Sequence, residues 1–195
     1  MLLSSFIEIE AFKKEEFAER LHRANYLLAD TRIPWVSLYD HLILTSGIAA
    51  AFSEELLQRG KTPKEICGLS LSHAELRHLA CLCGFLHDLG KARARETEYY
   101  FHVPRGVEYV KEWLAAKGIE KELQEVILGT IARHHVRYGP KTLLEKLVCL
   151  ADSYASAGDR PEQSRAFAIK GYVYETQSLP EIRGASQNLV ELEER

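Results

Sequence analysis

A chain of 195 residues has room for one sizeable hydrophobic core and a short appendage. Hydrophobic residues make up 46% and charged residues 27%, the balance of an ordinary folded protein, and the net charge of −3 gives no global attraction to nucleic acid, so any such attraction must be local. Four cysteines, Cys67, Cys81, Cys83 and Cys149, lack the C-x-x-C spacing of a structural zinc site and read as core thiols.

The N-terminus has no basic segment before its apolar residues, so it is not a secretory signal, and no run approaches the roughly 20 apolar residues of a spanning helix. A cytosolic protein is expected. Phe12, Phe17, Leu21, Ala24 and Leu28 predict an amphipathic helix over 11–29 before the Asp-Thr-Arg-Ile-Pro break. Ser37 caps the next helix, which carries His41, runs to Gly60 and includes Gly47 as a mark of close helix packing. KTPKEICGL reads as a loop. Ser72 and Glu75 form a capping box for a third helix ending at His87-Asp88, where Gly90 is expected to supply the permissive backbone just past the helix end.

His102 falls in a loop, FHVPRG, and Pro104 and Gly106 open a helix that stops at Gly118. The fifth helix is predicted from Ile119 to His135, and the sixth from Pro140 to about Ala157. From Ala166 the period changes. Phe167, Ile169 and Val173 alternate with Lys170 and Tyr172 as a strand with a possible bulge at Gly171, and Ser178, Pro180 and Glu181 start a helix with a stripe of Ile182, Ala185, Leu189 and Leu192. A lone strand leaves its edges unpaired, which implies a longer subunit, a partner, self-association through the strand, or local disorder.

Histidines and carboxylates stand out against these apolar segments: His41, His87-Asp88, His102, His134-His135 and Asp152. Burying an unpaired carboxylate is costly, so such a group pairs, protonates or binds metal. Asp152 shares a helical face with Leu144, Val148 and Ala155, His135 follows Leu128 and Ile131, and His87 follows Ala80 and Cys83, so each side chain points toward the core. One histidine on an apolar face is usually a hydrogen-bonded core residue. The pattern H, HD, H, HH, D across several segments instead suggests a shared divalent cation, while His22, His73 and His78 fall outside it and are taken as structural. Imidazole and carboxylate ligands favour manganese, nickel or cobalt over magnesium or calcium. Lys91, Arg93 and Arg95 after the pair, and Arg133, Arg137 and Lys141 around the two adjacent histidines, are candidate phosphate contacts.

HDLGK at 87–91, with the other histidines and Asp152, resembles the HD-domain superfamily of metal-dependent phosphohydrolases over residues 36–160. VSLYDHLILTSGIAAAF and LADSYASAGDR are further similar to the N-terminal HD nuclease domain of the large subunit of type III CRISPR effector complexes. YVYETQSLPEIRGASQNLVEL at 172–192 looks like the opening strand and helix of that subunit's palm domain, although the Gly-Gly-Asp-Asp of palm chemistry does not occur. The resemblance implies a mainly α HD fold over 1–160 and an incomplete, ferredoxin-like palm segment over 161–195.

It also implies that His41, His87, Asp88 and Asp152 hold a first metal, that His102, His134 and His135 hold a second with Asp88 bridging, and that Lys91 meets substrate phosphate. His102 has a surface-histidine alternative. The implied activity is hydrolysis of single-stranded DNA in antiviral defence, with other effector subunits and guide RNA as partners. Two rivals remain at this point: a phosphohydrolase of nucleotides or cyclic dinucleotides, and an assembly module with an idle site.

Overall fold

The structure is a computed structural model that describes residues 29, 36–94 and 101–158. Those residues form helices and no β strand. The expected helix over 11–29 and the expected strand and helix beyond 160 lie outside them.

Helix α1, Leu38–Gln58, begins where the Ser37 hydroxyl accepts the Asp40 N–H at 3.0 Å and ends before Gly60, whose φ of 89° suits a residue without a side chain. Its inward face carries His41, Leu42, Thr45, Ala49, Phe52 and Leu56 at three- and four-residue steps. The segment read as a loop contains a one-turn helix, α2, Pro63–Cys67. Thr62 and Glu65 close a capping box around Pro63, a local signal that the KTPKEICGL reading passed over.

Helix α3, His73–Leu86, has the expected Ser72–Glu75 capping box and packs along α1. Gly84 makes that approach possible, since a Cβ there would lie 2.9 Å from the Ser46 Cα and 3.0 Å from the Thr45 carbonyl oxygen. Gly47, the expected marker of close packing, has nothing within 4 Å of its Cβ position. The close contact lies one helix away from its expected place because it depends on which faces meet.

After α3 the chain tightens through i→i−3 bonds, Leu89 N–H to Leu86 O at 3.2 Å and Lys91 N–H to Asp88 O at 2.9 Å, and re-enters a short helix, α4, Gly90–Ala94. Gly90 is therefore the start of a helix, and it is absent from the positive-φ glycines. Its lack of a side chain serves a different purpose. A Cβ there would overlap the His102 carbonyl oxygen and lie 2.6 Å from the Gly106 nitrogen, so Gly90 and Gly106 let α4 sit against α5, His102–Ala116.

Helix α6, Lys121–Ala132, packs on α5 and stops three residues short of the expected end. His134 and His135 follow it, then a 3₁₀ turn at Val136–Tyr138 and helix α7, Leu143–Gly158, which packs against α1. The core joins Leu42, Leu79, Leu86, Ile131, Leu147 and Val148, all fully buried. No helix among the described residues is long and apolar enough to cross a membrane.

Candidate metal centre

Five places on the backbone deliver the seven expected side chains to one spot. His41 projects from the buried face of α1, His87 and Asp88 from the tight turn ending α3, and His102 from the first position of α5. His134 and His135 come from the segment after α6, and Asp152 from α7. His102 is thus helical and 7% exposed, which removes the loop assignment and the surface-histidine alternative. Phe101 caps that helix without a side-chain hydrogen bond, so no polar residue marked its start.

The side chains fall into two groups of four that share Asp88. In one, His41 Nε2 lies 3.2 Å from Asp152 Oδ1 and 3.8 Å from Asp88 Oδ2, while His87 Nε2 lies 3.5 Å from Asp88 Oδ2 and 3.6 Å from Asp152 Oδ1. In the other, His102 Nε2 and His134 Nε2 each lie 3.4 Å from Asp88 Oδ1, and His102 Nε2 is 3.1 Å from His135 Nε2. The two oxygens of Asp88 therefore face different groups. His135 Nδ1 also lies 3.8 Å from Asp152 Oδ2, closing the ring.

Hydrogen bonds behind the site fix which nitrogens face it. His87 Nδ1 lies 2.6 Å from the Gly84 carbonyl and His134 Nδ1 lies 2.7 Å from the Ile131 carbonyl. A carbonyl oxygen only accepts, so both Nδ1 atoms carry protons and both Nε2 atoms face the carboxylates. His87 Nε2, His134 Nε2 and Asp88 Oδ1 are buried and make no hydrogen bond. At 3.4 to 3.6 Å their contacts are charge contacts longer than ordinary hydrogen bonds.

Leaving three polar atoms so costs roughly 1–3 kcal/mol each, and two cations, one in each group, would satisfy all three. The ligand atoms within each group lie within 4.8 Å of one another. Two ligands of one ion, each roughly 2.1 Å from it, sit at most about twice that far apart, so small side-chain movements suffice. The residues fit a divalent ion of the imidazole- and carboxylate-binding kind.

Charge supports the same reading. Burial alone would push the His87 imidazole down, but Asp88 and Asp152 outweigh it and raise it to about 10. Burial works against the Asp88 and Asp152 carboxylates, yet Lys91 and His87 hold Asp88, and His41 and His87 hold Asp152, well below the usual carboxylate range. His135 is pushed down to about 4, first by burial and then by the neighbouring His134, so its ring is neutral with a lone pair to give. Lys91 is buried with its ammonium in ion-pair contact with Asp88 Oδ2.

Arg133 was a candidate phosphate contact, and the structure corrects that. Its Nε and Nη2 donate to the buried Glu145 carboxylate at 2.8 and 2.5 Å, and Glu145 Oε2 also accepts the Lys141 N–H at 2.6 Å. The guanidinium lies beside Gly129, where a Cβ would come within 2.6 Å of Nη2. This pair ties the end of α6 to the start of α7, on either side of His134 and His135. Sequence reading missed Glu145, although Thr142-Leu-Leu-Glu145 has capping-box spacing and the Glu145 N–H donates to the Thr142 hydroxyl at 3.2 Å. Arg137 and Lys141 are exposed, whereas Arg93 and Arg95 lie outside the described side chains. The cysteines are free thiols, with Cys67, Cys83 and Cys149 buried and Cys81 partly so.

Residues 38–157 match the family model described as HD domain. Ribonuclease Y of Streptococcus pyogenes serotype M5 (strain Manfredo) is 32% identical over 150 residues, which cover 75% of this chain and 26% of that protein. The ribonucleases Y of serotype M1 and of serotype M3 (strain SSI-1) match to the same extent. The chain spans about a quarter of the length of these curated relatives. No solved structure matches it.

Proposed function

Because this chain belongs to the HD-domain family, we propose that it is a metal-dependent phosphodiesterase acting on single-stranded nucleic acid, with single-stranded DNA as its substrate within a type III CRISPR effector assembly. The observation that carries the hydrolase reading is the shared carboxylate: Asp88 faces two imidazoles through each oxygen, and its Oδ1 and the Nε2 atoms of His87 and His134 are buried without hydrogen bonds. His41, His87, Asp88 and Asp152 would hold one cation and Asp88, His102, His134 and His135 another. Bound there, divalent cations polarise a phosphoryl oxygen and bring the pKa of water down toward about 7.

The protein's own groups do the rest. The carbonyls of Gly84 and Ile131 hold the His87 and His134 rings in the ligating orientation. Asp88 keeps the Lys91 ammonium beside the ligands, where it can meet a phosphate oxygen as a compact charge. His135 at 28% and Asp152 at 14% side-chain exposure are the open members of the cluster, so a phosphodiester approaches from their side. A flexible single strand can bend its backbone to that buried site more readily than a duplex.

DNA and the CRISPR setting rest on the resemblance of the segments around His41, Asp152 and LPEIRGAS. The ribonuclease Y relatives favour a second reading in which the strand is RNA. Hydrolysis of single-stranded DNA, duplex DNA, single-stranded RNA and mononucleotides, each in manganese and in nickel, tests both. Cleavage confined to single-stranded DNA supports the first, and a preference for RNA the second. Activity on mononucleotides alone, or none with metal bound, overturns both.

A further inference from the structure

The 3₁₀ turn directly after His134 and His135 exposes three residues in a row. Val136 is 78% exposed, Arg137 is exposed and Tyr138 is 41% exposed. Isolated exposed apolar residues are common, but this stretch is built. The Tyr138 N–H donates to the His135 carbonyl at 2.9 Å, the Gly139 N–H to the Val136 carbonyl at 3.0 Å, and Gly139 closes the turn at φ 65°. Arg137 places its guanidinium 4.8 Å from the Tyr138 ring centroid, and the His135 ring lies 6.0 Å from it. The tyrosine is therefore fixed beside the most exposed ligand of the cluster. Phe101, 50% exposed, precedes His102, whose ring nitrogen is 3.1 Å from that of His135, so a second exposed aromatic leaves the chain at the same corner.

We propose that Tyr138 is a stacking shelf for an unpaired nucleobase of the strand whose phosphate enters the cluster, a proposal that rests on the nuclease reading above. Arg137 lies over the ring, and the 41% exposure of Tyr138 leaves surface for a base. The ring separation of 6.0 Å between Tyr138 and His135 is comparable to that between a base and its own phosphate. Arg137 and Lys141 give the exposed side positive charge for a polyanion. Every base has a π face, so such a shelf tolerates any sequence but requires a base that is not already stacked in a duplex. It would thus select single strands at the site itself.

The test is binding of short single-stranded deoxyoligonucleotides to the full chain in EDTA, where hydrolysis does not compete. One oligonucleotide carries a central 2-aminopurine, whose fluorescence falls on stacking, and another of equal length and charge is abasic. The shelf predicts quenching by the parent and about tenfold weaker binding of the abasic strand, consistent with a stacking contribution of this order. Tyr138→Ala should weaken binding of the base-containing strand about tenfold and leave the abasic strand unchanged, and Tyr138→Phe should stay close to the parent. Equal affinity of the parent for both strands overturns the shelf without any variant, as does a Tyr138→Ala loss of the same size on both. Hydrolysis in manganese is scored separately: stacking without hydrolysis contradicts the nuclease reading alone, and hydrolysis without stacking contradicts the shelf alone.

Discussion

His87 is held between two carboxylates, and this makes the metal-free site a proton trap. Its imidazole is raised to about 10 from an ordinary 6.5, so the stability linked to that proton is fully present below about pH 6.5 and is lost as pH rises through about 10. A cation competes for the same Nε2, so metal affinity should rise with pH over that window and metal uptake at pH 7 should release protons. Thermal unfolding in EDTA should show Tm falling between pH 7 and 10, with a smaller fall in saturating manganese. A flat metal-free profile would contradict the charge assignment. At the same scale, the double substitution His87→Ala with Asp88→Ala should reduce hydrolysis to background while far-UV circular dichroism stays helical, because these groups serve the cation more than the core. Cleavage at the parental rate by the purified variant would place the active site elsewhere.

Helix ends and helix contacts decide whether the ligands meet. Gly90→Ala drives a methyl into the backbone of α5 at His102 and Gly106, so it should cost about 2–3 kcal/mol in urea denaturation and weaken metal binding. Gly47→Ala, with open space around it in the middle of α1, should stabilise by about 0.5–1 kcal/mol. Similar effects from the two would refute the assignment of their roles. The Arg133–Glu145 pair should act as a positioning device. Glu145→Gln should cost on the order of 2 kcal/mol, below the 3–5 of a fully buried pair because Arg133 is 29% exposed. It should lower affinity at the group containing His134 and His135 more than at the other, a difference that a purely global destabilisation would not produce.

Over the whole molecule, what the sequence made legible was local. Ser37, Ser72 with Glu75, and the apolar stepping that leads to His87 and Asp152 are read from neighbours along the chain, and the structure has them as expected. Three features were not legible: the early stop of α6, followed by Arg133 and its pairing with Glu145, and the close approach of Gly90 to Gly106 are set by partners farther along the chain, while the helical start at His102 has no polar cap at Phe101 to mark it. The His and Asp pattern could be read despite those errors, since residue type and order survive a misplaced helix end. Seven residues make two ligand groups that share Asp88, and metal stoichiometry tests most directly that each group holds a cation. Equilibrium dialysis with manganese, read by elemental analysis, should find two ions per parent chain and one after Asp152→Asn, which removes a ligand from one group only. No bound ion in the parent, or two undiminished ions in Asp152→Asn, would contradict it.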